Sequence, residues 1–409
     1  MSKNNKLKKL TNFIKNNYTA KQGTVEWHNL RGLNIGGSEM AVITGENPYS
    51  KIQDLVANKV GFTTFNPILA CSWGTIFETN TAMLVKILFN MDKIYETGSL
   101  NGAVPYQRYS PDGLGVIKTI YELENEQLNS PIQYHTEYSI VLFEFKSPYS
   151  SIPTGNIPKH YIPQVKTGLC SIPIADYAIF INNVFRKCSI SNLDSSPSYD
   201  TEFYSKDKLK AVEVLAIGIN VFYQNDSQKI KFYDLYSNKI NKNLNIDDEQ
   251  EIQKLSVDNL YNDIYHNKIV DYGSANYYYF KEILDLYSNG LLSVSHFEPF
   301  IFENYYENEF INAQNLVYND TLKYDKYIEK VNKRIASGCV GYIPWKLFMS
   351  DIIIQNRDDN YVELYKDKIL EVINIIKDIM DSVDYNEKVS KYINYFPKNK
   401  LFKNCSEFL

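Results

Sequence analysis

Two short segments of this 409-residue chain hold side chains suited to work on a phosphodiester. One is Ser110-Pro111-Asp112-Gly113-Leu114; the other is Leu142-Phe143-Glu144-Phe145-Lys146-Ser147, with thirty-one residues between Asp112 and Glu144. Pro-Asp-Gly by itself is a turn, and Glu-x-Lys is short enough to arise from composition. Here it ends the most apolar strand pattern of the chain, where charges are unfavourable without a reason. If 114–120 and 139–145 pair antiparallel, the start of the first strand lies opposite the end of the second, and Asp112 meets Glu144. Alternation puts Glu144 and Lys146 on one face. Two carboxylates and an ammonium in one place are the parts of metal-assisted phosphodiester hydrolysis: hard oxygen ligands for Mg²⁺ or Mn²⁺, and a cation near the attacking water or the phosphate. On these residues alone a buried, salt-bridged turn is the competing account.

Other residues fit the same chemistry less specifically. Glu78 falls in the clearest helical pattern of the first half, Trp73 to Phe89, where Ile76, Phe77, Met83, Leu84, Ile87 and Leu88 recur at helical spacing. Thr75-x-x-Glu78 also reads as a capping box, in which Glu78 would only satisfy backbone donors. Gln164 lies in a helix expected over 159–170, where Tyr161 is expected to pack. Gly36-Gly37 lets backbone approach an anion, Ser38 opens a helix expected over 35–45, and Arg31 offers a bidentate grip. A Ser N-cap beside a surface arginine is the plainer account of that segment.

These residues need a scaffold. Helices are expected over 35–45, 52–60, 73–89 and 159–170 and strands over 114–120, 139–145 and 177–181, which makes an α/β core. Residues 1–190 form that core, a Ser/Asn/Asp/Pro-rich stretch at 191–204 reads as a linker or long loop, and 205–409 read as a mainly helical extension, strongest at 363–383. The 43 Lys and Arg against 48 Asp and Glu give a net charge of −5, so nucleic-acid contact must come from a local groove. Five scattered cysteines without a Cys-x-x-Cys pair disfavour structural zinc, an iron-sulfur cluster or a disulfide framework. No apolar run reaches a membrane span and the first ten residues hold no signal core, so a soluble, intracellular protein with no membrane partner is expected. The 34 tyrosines, with abundant Asn, Lys and Ile, read as AT-rich codon bias.

The arrangement resembles the PD-(D/E)XK nuclease superfamily, and the wider sequence resembles its lambda exonuclease branch, the YqaJ-type viral recombinases. Trp27-His28-Asn29-Leu30-Arg31 with Ile35-Gly36-Gly37-Ser38-Glu39 is similar to the family's opening Trp-x-x-x-Arg and Ile-x-x-Ser pattern; Trp73-Gly74-Thr75-Ile76-Phe77-Glu78 to its Trp-Gly-x-x-x-Glu helix; and Tyr161-Ile162-Pro163-Gln164 to its Tyr-x-x-Gln motif. The resemblance implies a restriction-endonuclease-like core of a mixed central sheet flanked by helices. It implies that Asp112, Glu144 and the main-chain carbonyl of Phe145 bind two Mg²⁺ or Mn²⁺ ions, with Glu78 as a further ligand or water-positioning carboxylate. Lys146 would orient or activate the water, Gln164 would hold both, and Arg31 with Ser38 would receive a 5′-terminal phosphate.

The implied activity is a 5′→3′ DNA exonuclease on linear duplex with free ends, releasing 5′-mononucleotides and leaving 3′ single strands for recombination, repair or replication of a viral genome. A ring-shaped homo-oligomer, a single-strand annealing protein as partner and a host-cytoplasmic viral factory, with the nucleus as the alternative, belong to the same expectation. An endonuclease or resolvase-like nuclease on this core, or a non-catalytic DNA- or protein-binding module, stay open as alternatives. Three departures from the family pattern stand out. The long insert with Glu122, Glu124, Glu126 and Glu137 threatens the strand register, Pro163 threatens to kink its helix, and the segment 341–346, expected to lead into a helix, resembles the tail of large DNA-virus members, with Trp345 as a core anchor.

Overall fold

The computed structural model describes residues 1–21, 24–62, 69–123, 133–188, 190, 193, 214–224, 283–284, 286–288, 292–302, 305, 324–335, 339 and 341–395. Chain order begins with α1 (Lys3–Asn17), α2 (Val25–Gly32), β1 (Ile35–Gly36), a 3₁₀ turn at Gly37–Glu39, α3 (Met40–Thr44), α4 (Ile52–Lys59) and α5 (Leu69–Leu88). It continues with β2 (Leu100–Asn101), β3 (Gln107–Tyr109), β4 (Gly113–Leu123), β5 (Gln133–Lys146), α6 (Ile162–Ser171) and β6 (Tyr177–Lys187). Past residue 205 come β7 (Ala216–Gln224), β8 (Leu292–His296), β9 (Phe300–Ile301), α7 (Tyr324–Ile335), β10 (Gly341–Gln355), α8 (Lys366–Met380) and α9 (Tyr385–Tyr395).

The large sheet runs β4-β5-β6-β10-β7-β8, with β9 also on β7, and only the β5–β6 pair is parallel. Helix α5 covers one face through Trp73, Ile76, Phe77 and Leu84 against Phe143, Phe145 and Phe185. Helix α6 covers the other through Val165 and Leu169 against Ile140, Leu142 and Phe180. Because both faces are covered, 139–145 is buried throughout and reads as a continuous apolar run. A small sheet, β1-β3-β2, stands beside it and carries the chain into Ser110 and Asp112.

The strand register is the expected one. Gly113 pairs with Phe143 and the ladder continues without a break to Leu123 and Gln133, so the insert lengthens the hairpin and does not shift it. Of the acidic residues in that insert, Glu124 and Glu126 lie outside the described residues. Pro163 occupies the first turn of α6, where its missing N–H has no partner to lose, so the helix is not kinked.

The segment 205–409 holds strands beside its helices. Residues 216–224, 292–296, 300–301 and 341–355 are strands, and β10 lies between β6 and β7, so one sheet crosses the expected boundary at 190. A strand buried on both faces lacks the alternation that distinguishes it from a buried helix, and the first eight residues of β10 are all buried. The 341–346 segment therefore leads onward as a strand, and Pro344 is tolerated because it lies beyond the last β6 pair, Trp345 with Lys187. Trp345 is the expected core anchor, fully buried between Phe77 and Phe185 over Gly218. Helix α8 packs Ile369, Val372, Ile373 and Ile376 against Ile43, Leu55 and Val56, backing the segment that holds Gly36 to Glu39. The expected linker and most of 225–291 lie outside the described residues. No helix among the described residues is long and apolar enough to cross a membrane.

Candidate active site

The turn before β4 and the end of β5 meet as the spacing predicts. Since Gly113 pairs with Phe143, Asp112 stands opposite Glu144, and its Oδ2 accepts a hydrogen bond from the Phe145 N–H at 2.7 Å. Glu144 is fully buried at the end of the apolar strand. Its Oε1 accepts from Lys146 Nζ and Gln164 Nε2, and its Oε2 accepts from the Tyr109 hydroxyl at 2.8 Å. Lys146 projects from the same face two residues on and lies over the Tyr161 ring, 5.1 Å from its centroid, while Tyr161 packs on Phe180. The carboxylate is thus fixed from three elements, β3, β5 and α6.

Glu78 joins this group from α5, whose path corrects the capping-box account. The helix begins at Leu69, so Thr75 is interior and its hydroxyl donates to the Cys71 carbonyl. Glu78 is half-buried and feels both Lys146 and Glu144. Burial raises its carboxyl from the ordinary range, Lys146 opposes the rise, and Glu144 and Glu96 add to it. Burial and the Glu144 charge push Asp112 well above the usual carboxylate range, against Lys146 and the Phe145 N–H. Burial works against the Lys146 charge, but Glu144 and Asp112 outweigh it and hold the ammonium above its ordinary value. Tyr109 is held neutral by burial and by the adjacent carboxylates.

Three carboxylates against one ammonium leave an excess of negative charge on oxygen donors alone, the chemistry that suits a hard divalent cation. Among the described residues no three His, Cys, Asp or Glu side chains are close enough to hold an ion by themselves. An ion here would therefore draw on Asp112, Glu144 and a main-chain oxygen, with water completing its shell.

A cavity of about 180 Å³ opens from Asp112 and Gln164 to Arg31 and Ser38. The Arg31 guanidinium lies over Trp27 at 4.6 Å, 3.5 Å from the Ser38 hydroxyl and 3.7 Å from Glu39. A Cβ at Gly36 would come within 2.7 Å of Arg31 Nη2, so the guanidinium lies where a larger residue would displace it. Ser38 does not open a long helix. It lies in the 3₁₀ turn before the five-residue α3, and the Gly36 N–H is taken by Glu39 at 2.6 Å.

Residue-by-residue reading of the sequence missed Tyr109. One signal pointed to it: Gly168 interrupts α6, where glycine costs about 1 kcal/mol against alanine. A Cβ there would meet the Tyr109 ring at 2.5 Å, and one at Gly37 would meet it at 2.3 Å.

Fold and site together have the arrangement that the PD-(D/E)XK resemblance implies, a mixed sheet flanked by helices with the acid pair and lysine on adjacent strand ends. Residues 26–172 match the model of the YqaJ-like viral recombinase domain. A protein of African swine fever virus, Badajoz strain, is 29% identical over 193 residues, 45% of this chain and 55% of that protein. Its counterpart in a South African tick isolate is 31% identical over 175 residues, 41% and 51% of the two chains. This chain thus spans about half the length of the curated relatives it matches. The alkaline exonuclease LHK-Exo of Laribacter hongkongensis superposes with a TM-score of 0.28 at 20% identity, over 39% of this chain and 73% of that one. Its complex with dAMP gives 0.29 at 19% over the same shares.

Proposed function

We propose that the protein is a metal-dependent DNA exonuclease that shortens linear duplex from a 5′-phosphorylated end, serving recombination, repair or replication of a viral genome. The observation that carries this reading is one cavity wall shared by Asp112, Gln164, Arg31 and Ser38, which sets the buried acid cluster beside a cationic pocket for a strand end.

Asp112, Glu144, the Phe145 carbonyl and Glu78 would hold Mg²⁺ or Mn²⁺, as two ions. Bound there, the ions supply Lewis acidity toward the phosphate and lower the pKa of water. Lys146, kept protonated by Glu144 and Asp112, is a donor that orients the attacking water or the phosphate oxygen and is not its proton acceptor. Gln164 and Tyr109 keep the Glu144 carboxylate from rotating as charge develops. Water attacks phosphorus in line, the 3′-oxygen leaves, and a 5′-mononucleotide is released while the complementary strand is left with a 3′ overhang. Arg31 and Ser38 receive the terminal phosphate that each cut renews. A ring of copies, an annealing protein as partner and a cytoplasmic viral factory are part of the same proposal.

Digestion of a linear duplex bearing one 5′-phosphate, beside closed circular duplex and with Glu144→Ala as control, tests it. Selective loss of the phosphorylated strand, an intact circle and an inactive variant are expected. Nicking of the circle would make the enzyme an endonuclease, and no cleavage by the wild type would leave a binding module.

A further inference from the structure

The cavity wall contains a second arginine whose charge the proposed chemistry has not used. Arg108 sits at the centre of β3 and is 9% exposed. Its Nε donates to Ser99 Oγ at 2.9 Å, and its Nη2 reaches Thr19 Oγ1 at 3.3 Å and the Ser99 carbonyl at 3.4 Å. All three partners are neutral. A guanidinium carries five N–H donors, and among the described residues none accepts from Nη1 and no carboxylate pairs with the side chain. Arg31, by contrast, has Glu39 at 3.7 Å, and Glu39 is itself held by Lys59 at 2.9 Å.

The strand pairing brings the two arginines together. Arg108 is the register partner of Gly36 in the parallel β1–β3 pair, and register partners project to the same face. The face of Gly36 is where the Arg31 guanidinium lies, 2.7 Å from the position of a Cβ. Two guanidinium groups therefore share one side of the small sheet, both lining the cavity with Ser38. Holding a buried cation without a carboxylate is costly unless an anion completes the site.

We propose that Arg108, together with Arg31, forms a two-arginine clamp for the terminal phosphomonoester of the DNA strand, and that it is the specificity-determining residue for a phosphorylated over a hydroxyl end. A terminal monoester carries nearly two negative charges at neutral pH where an internal diester carries one, so a paired guanidinium site discriminates ends by charge. Asp112 lines the same cavity and Glu39 stands 3.7 Å from Arg31, and these carboxylates set the cost that a singly charged diester would not offset. This inference rests on the reading of the cavity as the site for the strand end.

Equilibrium binding of the full chain to short duplexes that differ only in a 5′-phosphate or 5′-hydroxyl, with chelator present to prevent cutting, tests it on wild type, Arg108→Gln, Arg108→Lys and Arg31→Gln. The wild type is expected to prefer the phosphate. Arg108→Gln is expected to lose that preference by about ten- to hundredfold, the range for a lost hydrogen bond to a charged group, with affinity for the hydroxyl end unchanged. Arg108→Lys is expected to recover part of it. A wild type indifferent to the end overturns the reading of the cavity and the clamp with it. A discriminating wild type with an equally discriminating Arg108→Gln overturns the clamp alone, leaving Arg108 as a tie between Thr19 and Ser99. If Arg108→Gln does not fold, the arginine side-chain ¹⁵N resonances of the wild type decide. A shift of Arg108 on adding the phosphorylated duplex and not the hydroxyl duplex is expected, and its absence rejects the proposal.

Discussion

The two ends of the cavity are built on different rules. At the acid end, Glu144 has no exposure and is fixed by Tyr109, Lys146 and Gln164, groups delivered by a strand of the small sheet, a strand of the large sheet and a helix. At the cationic end, Arg31 reaches from α2 across Gly36, half-exposed, with Ser38 at 3.5 Å in a short turn. The first arrangement tolerates almost no displacement. The second holds long side chains over glycines and leaves them room to follow an anion. On the proposed function, bond breaking needs fixed oxygens and end recognition needs reach, and the buried polar contacts are distributed as that reading requires.

The sharpest way to break this contrast is at Glu144. Replacing it by glutamine removes charge while keeping shape, and nucleotide release from linear duplex is expected to fall by about a thousandfold or more. Arg31→Ala at the other end is expected to weaken binding of phosphorylated ends by about ten- to hundredfold in a competition assay, with cleavage at saturating DNA much less affected. Gly168→Ala, one helical turn from Gln164 in α6, forces the Tyr109 ring and Leu142 aside. Chemical denaturation should show a loss of about 1 to 3 kcal/mol, with turnover reduced more than DNA binding.

The smallest effect is one of stability. Because burial and Glu144 hold the folded-state Asp112 carboxyl well above its unfolded value, its ionisation weakens the fold at pH above that raised range. The penalty is relieved as pH falls from the folded toward the unfolded value. In chelator, wild-type melting temperature should therefore rise on going from pH ~8 to ~5.5, against the usual trend of paired carboxylates. Asp112→Asn should be the more stable protein at the higher pH and lose that advantage at the lower. A flat difference between the two across this range would remove the charge-excess account of the acid end.

Much of the acid end was legible in the sequence because it depends on strand parity and one hairpin register. Asp112, Glu144 and Lys146 follow from alternation once 114–120 and 139–145 are paired, and the ladder from Gly113 to Leu123 runs as that pairing requires. The cationic end was less legible. Ser38 invited a helix-start account that the 3₁₀ turn does not support, and Arg108 lay hidden in a three-residue strand too short to show a pattern. Tyr109 was visible only through the glycines that make room for its ring. The C-terminal strands were missed because burial on both faces erases the period that betrays a strand, so Ile343, Trp345 and Leu347 resemble a core helix as readily as a strand.

The place of β10 between β6 and β7 also sets a schedule for biosynthesis. Strand β6 ends at Lys187, and the strand that satisfies its free edge ends only at Gln355. At ~5–20 residues per second, ribosomal elongation leaves that edge, with its row of unpaired amides, waiting for roughly 10–30 s before the partner emerges. Nascent chains of this protein are thus candidates for chaperone capture and for mispairing with one another during that interval. Slower translation across 188–340 should lower the soluble yield.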